Sequence, residues 1–204
     1  MREGVAVGVV NYALCPEVTI DEIVRQARAA TAWAFARGRE LGADPTRLTV
    51  CGHSAGGHLV AMLAATDWPR DYDLPADLVK AGLALSGLFD LAPLRWSYLQ
   101  PAPQLTCDQI ARNSPILVLP PTSPPLLVAV GAAESAEFRR QSRDFHAARA
   151  ARGLPGALLE IDGADHFTVL DALTDPASPL FARLLRLARE PQRALEDGVV
   201  AAGS

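Results

Sequence analysis

The sequence predicts an α/β protein of three layers, a mostly parallel sheet of about five strands with helices on both faces. Three observations predict it. Short apolar runs rich in Val, Leu and Ala alternate along the chain with longer segments of helical periodicity. One of these runs leads into Val50-Cys51-Gly52-His53-Ser54-Ala55-Gly56-Gly57-His58, a glycine-flanked serine set between a strand and a helix. The residues able to carry chemistry then recur just past the apolar runs, where parallel sheets build their sites. With 204 residues, half of them hydrophobic, the chain has the size and apolar content of one domain with a real core.

In chain order, residues 4–10 are short, apolar and valine-rich, as a buried parallel strand should be. Met1 and Arg2 precede this run, but Glu3 breaks the positive flank and no clean small-residue cleavage site follows, so it reads as a strand and not a signal peptide. A loop closed by Pro16 comes next. Thr19 and Glu22 form a capping-box pair. The helix they open carries Ile23, Ala27, Ala30, Trp33 and Ala34 on one face, which places Trp33 in the core. Gly42 and Asp44-Pro45 end it. Residues 47–51 are the strand before the serine and 58–65 the apolar helix after it. Residues 67–76 are polar and irregular. A strand over 79–85 ends in Ser86-Gly87-Leu88-Phe89-Asp90, a loop facing the carboxyl end of the sheet. Residues 91–125 are dense in proline and hold Trp96 and Tyr98; they serve either as a lid or pocket wall, or as a long packed loop. A strand over 126–130, a helix over 138–152 ended by Gly153, a strand over 157–161 and a helix over 179–188 complete the domain, taken as residues 1–188. Residues 189–204 are expected to form a flexible tail.

Gly52-x-Ser54-x-Gly56 in its strand–turn–helix setting is a nucleophile-elbow pattern. A serine on so sharp a turn needs small neighbours, because strand and helix nearly touch there. The helix start behind it offers backbone N–H groups to a developing oxyanion, with the N–H of Ala55 the expected donor. Of the four histidines, His53 and His58 lie too near Ser54 in sequence to face it from an opposing loop. His53 lines the elbow, His58 belongs to the helix and His146 sits mid-helix. His166 follows the last strand, and the chain order serine, acid, histidine makes it the base. The acid should follow the strand over 126–130, where Glu134, nearer the strand end, is preferred to Glu137. Its task is to fix the imidazole tautomer and stabilise the imidazolium. Asp162 and Asp165 read as turn-capping residues. His53, Phe89 and Phe167 are candidate substrate contacts.

The chain resembles the α/β-hydrolase superfamily, in particular the serine-hydrolase kynurenine formamidases and their esterase relatives. The matching residues are Asn11-Tyr12-x-Leu14-x-Pro16, Gly52 through Leu59, Ser86 through Leu91, Gly131-x-x-Glu134-Ser135-x-Glu137-Phe138-x-x-Gln141-Ser142, and Asp165-His166-Phe167. The family pattern has aspartate where this chain has Glu134, and glutamate does the same task with a longer arm. The family's sheet places a further strand between residues 4–10 and the elbow strand, and that strand delivers a His-Gly-Gly oxyanion loop. Neither is found in this sequence, so the resemblance implies one oxyanion donor missing and slow turnover; an N-terminally truncated domain is the preferred explanation, ahead of a strand supplied by a partner or a degenerate member with repaired pairing.

The function expected is hydrolysis of a small carboxylic ester or N-formyl amide through an acyl-enzyme on Ser54, with no metal and no organic cofactor. The alternatives are a general carboxylesterase, or a catalytically impaired fragment or interaction module that retains the elbow. Formal net charge is −4 with no basic patch, which argues against nucleic acid as a partner. No apolar run approaches a membrane span. The cysteines, Cys15, Cys51 and Cys107, are odd in number and lack metal-ligand spacing, which fits a reducing, cytoplasmic setting. A homodimer is the macromolecular contact left open, since an open strand edge invites pairing.

Overall fold

Four apolar segments pair side by side in parallel: β1 (Thr49–His53), β2 (Ala81–Leu85), β3 (Leu126–Gly131) and β4 (Gly156–Ile161), in the spatial order β1-β2-β3-β4. The computed structural model of the chain describes residues 3–191. The register sets His53 opposite Leu85, Leu85 opposite Ala129 and Gly131 opposite Ile161, so all four strands end near one line. The connections carry α1 (Ile20–Arg37) ahead of β1, α2 (Ala55–Ala64) and α3 (Trp68–Tyr72) between β1 and β2, and α4 (Cys107–Asn113) between β2 and β3. Helix α5 (Ala136–Ala151) joins β3 to β4, and α6 (Asp171–Thr174) and α7 (Pro179–Arg189) follow.

Alternation along the strands builds the two faces of the sheet. Ala81, Leu83, Leu85, Leu127 and Ala129 meet Val169, Leu180 and Leu187 on the face covered by α7. Ala84, Leu126 and Val128 meet Val60, Ala61, Ala64 and Phe145 on the face covered by α2 and α5. Helix α1 packs outside α2 through Val24 and Ala27 against Leu59, Met62 and Leu63. Burial on both faces explains why these strands read as continuous apolar runs. The expected three-layer architecture is therefore observed.

Three expectations are corrected. Residues 4–10 form no strand, so the sheet has four strands among the described residues rather than about five. No strand among the described residues lies alongside to complete a ladder, and Val9 is 94% exposed. Valine content signals compatibility with a pleated surface and does not supply a partner. Trp33 is 57% exposed and not in the core. The buried face of α1 is Val24, Ala27 and Thr31, and Trp33 falls off that stripe. The Thr19–Glu22 capping box is half made: Thr19 accepts from the Glu22 N–H, while the Glu22 carboxylate turns to Arg25 and Gln26. The full box is at Thr106 and Gln109, opening α4. Of the expected C-terminal tail, residue 189 ends α7, and residues 192–204 lie outside the described residues.

Candidate active site

The sequence forces Ser54 into a strained turn. Its N–H still bonds the Leu85 carbonyl at 2.9 Å, extending the β1–β2 ladder, while Ala55 already opens α2. The residue between them has φ 56° and ψ −115°, left-handed for a non-glycine residue. Strand and helix pass so closely that a Cβ on Gly52 would lie 2.4 Å from the Gly56 carbonyl. Gly52 is thus the sterically obligatory glycine of the motif, whereas a Cβ on Gly56 would meet nothing within 4 Å. As the first helical residue, Ala55 holds an N–H outside the i→i−4 ladder of α2.

His166 arrives from the loop after β4. Its Nε2 lies 3.1 Å from Ser54 Oγ and its Nδ1 2.8 Å from Glu134 Oε2. The Glu134 side chain is fully buried, and its other oxygen accepts from the Gly131 N–H at 2.8 Å and from the Ser86 hydroxyl. A carboxylate at Nδ1 fixes the tautomer that carries its proton there and leaves Nε2 free to accept from Ser54. Glu137, the other candidate acid, pairs with Arg140 at 2.7 Å and also accepts from the Gln141 amide, its carboxylate turned to these partners. Asp165 caps its own turn, accepting from the N–H groups of Phe167 and Thr168 at 2.9 and 2.8 Å.

Aromatic rings surround the imidazole. Phe138 lies 4.3 Å from it, centroid to centroid, His53 lies 4.6 Å away, and Phe167 meets it edge-on at 5.6 Å. Phe138 was not among the candidate substrate contacts, although it lies in a block that carries the family resemblance; it sits in the first turn of α5. His53 Nε2 is buried with no hydrogen-bond partner among the described residues. Burial, and then the nearby His166, push its pKa down, which favours the neutral ring. Phe167 is 77% exposed at the mouth of the site.

Phe89 is a correction. It is 0% exposed and stacks on Phe145 at 4.2 Å with the rings 6° apart, so substrate cannot reach it. The Gln141 side chain accepts from the N–H groups of Phe89 and Asp90, which turns this loop toward α5 and away from the serine. Trp96 and Tyr98 stand 86% and 89% exposed. His58 is buried in α2, where its Nε2 meets the Asn113 carbonyl at 2.8 Å. A cavity of about 310 Å³ borders the site at Ala55, walled by Leu14, Ile20, Ile23 and Leu59.

A family model described as "alpha/beta hydrolase fold" matches residues 2–170. Kynurenine formamidase of Salmo salar is 31% identical over 193 residues, covering 92% of this chain and 64% of that protein. Esterase LipC of Mycobacterium tuberculosis is 30% identical over 196 residues, covering 86% of this chain and 49% of that protein. The esterase of Pyrobaculum calidifontis superimposes with a TM-score of 0.71 at 21% identity, covering 91% of this chain and 65% of that one, a likeness of fold. The chain thus spans 64% of the length of the salmon and zebrafish formamidases that it matches. Because the matched region takes in the whole sheet, the elbow and the histidine loop, the chain belongs to the alpha/beta-hydrolase family.

Proposed function

We propose that the chain is the core of a serine hydrolase that cleaves a small carboxylic ester or N-formyl amide. One observation carries the reading: Ser54 Oγ, His166 and Glu134 stand in a continuous relay with steps of 3.1 and 2.8 Å. Ser54 Oγ attacks the carbonyl carbon while His166 Nε2 takes its proton. The Ala55 N–H receives the negative charge that develops on the carbonyl oxygen. When the tetrahedral adduct collapses, the bond to the leaving oxygen or nitrogen breaks and His166 returns the proton to it. Water then attacks the acyl-enzyme, with His166 again as base, and releases the acid and Ser54. Glu134 orients His166 and stabilises the imidazolium. Exposed Phe167 and the ring of His53 stand where a substrate would rest. The scheme requires neither metal nor organic cofactor.

An N-formyl aryl amide is the substrate class suggested by the similarity to kynurenine formamidases. A general carboxylesterase is the second reading, favoured by the apolar cavity beside Ala55, which suits an alkyl or aryl group. Free Cys15, Cys51 and Cys107 suit a reducing compartment such as the cytoplasm. No helix among the described residues is long and apolar enough to cross a membrane. The test is p-nitrophenyl acetate turnover by the chain and by Ser54→Ala, followed by N-formylkynurenine. Turnover that disappears in Ser54→Ala supports the reading. Turnover that survives it, or a folded protein that neither turns over nor reacts with a fluorophosphonate, refutes it.

A further inference from the structure

Ser86 is the first residue past β2, and its backbone is unusual. It is 0% exposed and has φ 49°, a left-handed conformation that a non-glycine residue holds only when its surroundings impose it. The surroundings do so from two sides. Its N–H bonds the Ala129 carbonyl of β3 at 2.7 Å, and Gly87 after it lies so close to α2 that a Cβ on Gly57 would sit 2.8 Å from the Gly87 Cα. The chain is thereby bent so that Ser86 Oγ meets Glu134 Oε1. The Gly131 N–H occupies the same oxygen, leaving Oε2 to His166. A glutamate has one more rotatable bond than an aspartate, so the position of its carboxylate depends more on such anchors.

We infer that Ser86 is a positioning residue of the triad: its hydroxyl holds Glu134 Oε1 so that Oε2 faces His166, and it draws negative charge away from the His166 side of the carboxylate. The inference rests on the serine-hydrolase reading for its effect on turnover, but not for its effect on the histidine. The groups facing the pair are His53 from the end of β1, Asp165 from the histidine loop, and Ser54. The Asp165 Oδ1 atom is already committed to Phe167 and Thr168. A hydroxyl that donates to a carboxylate favours its ionised form and lowers its proton affinity. Removing it therefore leaves the Glu134–His166 pair holding its proton to higher pH.

The test compares Ser86→Ala with Ser86→Gly. Both remove the hydroxyl, but glycine tolerates the left-handed backbone and alanine does not, so a purely conformational role would separate them. Both variants should lower kcat about tenfold with KM within about twofold, and move the acidic limb of kcat/KM upward by about half a pH unit or more. The same upward shift should appear in the NMR titration of the His166 Cε1–H, which needs no turnover. Urea midpoints establish that each variant is folded. An unmoved titration in both, or a shift in Ser86→Ala alone, overturns the inference. Ser54→Ala that leaves turnover intact would refute the hydrolase reading and still leave the His166 titration as the test of Ser86.

Discussion

Acid should weaken this fold through His58 before it reaches the surface carboxylates. The ring is buried in α2, and burial lowers its pKa from 6.5 to about 4. The neutral ring donates its Nε2–H to the Asn113 carbonyl at 2.8 Å, which ties α2 to α4. In the unfolded chain the same histidine takes up a proton near its ordinary value. Below pH 6.5 the unfolded state therefore binds more protons than the folded one, and stability falls with pH until the folded ring also titrates near pH 4. A gap of that width sets a ceiling of roughly 3 kcal/mol, at about 1.4 kcal/mol per unit. Against a domain stability of about 5–15 kcal/mol, that loss is large. His58→Gln keeps a side-chain N–H for Asn113 but cannot titrate. Urea unfolding at intervals from pH 7.5 to 4.5 should show the wild type losing stability more steeply than the variant, the difference growing below pH 6.5. His53 and His146, also held below the ordinary range by burial, slope the same way in both proteins and cancel in the difference. Equal slopes in the two proteins would refute the argument.

The site makes two further predictions. Glu134→Gln should lower kcat by a factor on the order of 10³–10⁴ with little change in KM, because an amide at His166 Nδ1 stabilises the wrong tautomer; steady-state kinetics of the folded variant checks it. Gly131→Ala should destabilise the chain by about 1–3 kcal/mol, read as a lower urea midpoint, and slow turnover, since its Cβ would lie 2.2 Å from the Ala164 carbonyl oxygen.

Ser54, Glu134 and His166 were legible because each follows an apolar run in the chain, and parallel strands align their carboxyl ends whatever lies between them in sequence. What stayed hidden depends on neighbours that only the fold supplies. Ser86 and Phe138 fall in blocks that carry the family resemblance, but no spacing in the sequence assigns them a task, and their contacts arise where β2 and α5 are brought against the ends of β3 and β4. Phe89 follows a strand as the others do, but the Gln141 amide holds its N–H and its ring stacks on Phe145, and no pattern in the loop records those partners. Residues 4–10 misled for a related reason. A strand is a pairing as well as a composition, and the composition alone was visible.

Gly131 shows how one position can satisfy two demands of such a site. His166 leaves β4 but must reach Ser54 at the end of β1, across the ends of β3 and β2. Neighbouring strands lie about 4.8 Å apart, so the imidazole spans only part of that distance and its loop must lean over β3. It leans where β3 ends in glycine, and the Ala164 carbonyl occupies space that any Cβ at Gly131 would claim. The Ala133 N–H then ties the leaning loop down by bonding that carbonyl at 3.0 Å. The Gly131 N–H meanwhile holds the Glu134 carboxylate, which receives His166 once it arrives. Delivery of the histidine and anchoring of its carboxylate partner are therefore coupled through one backbone position. A larger residue there would disturb both together.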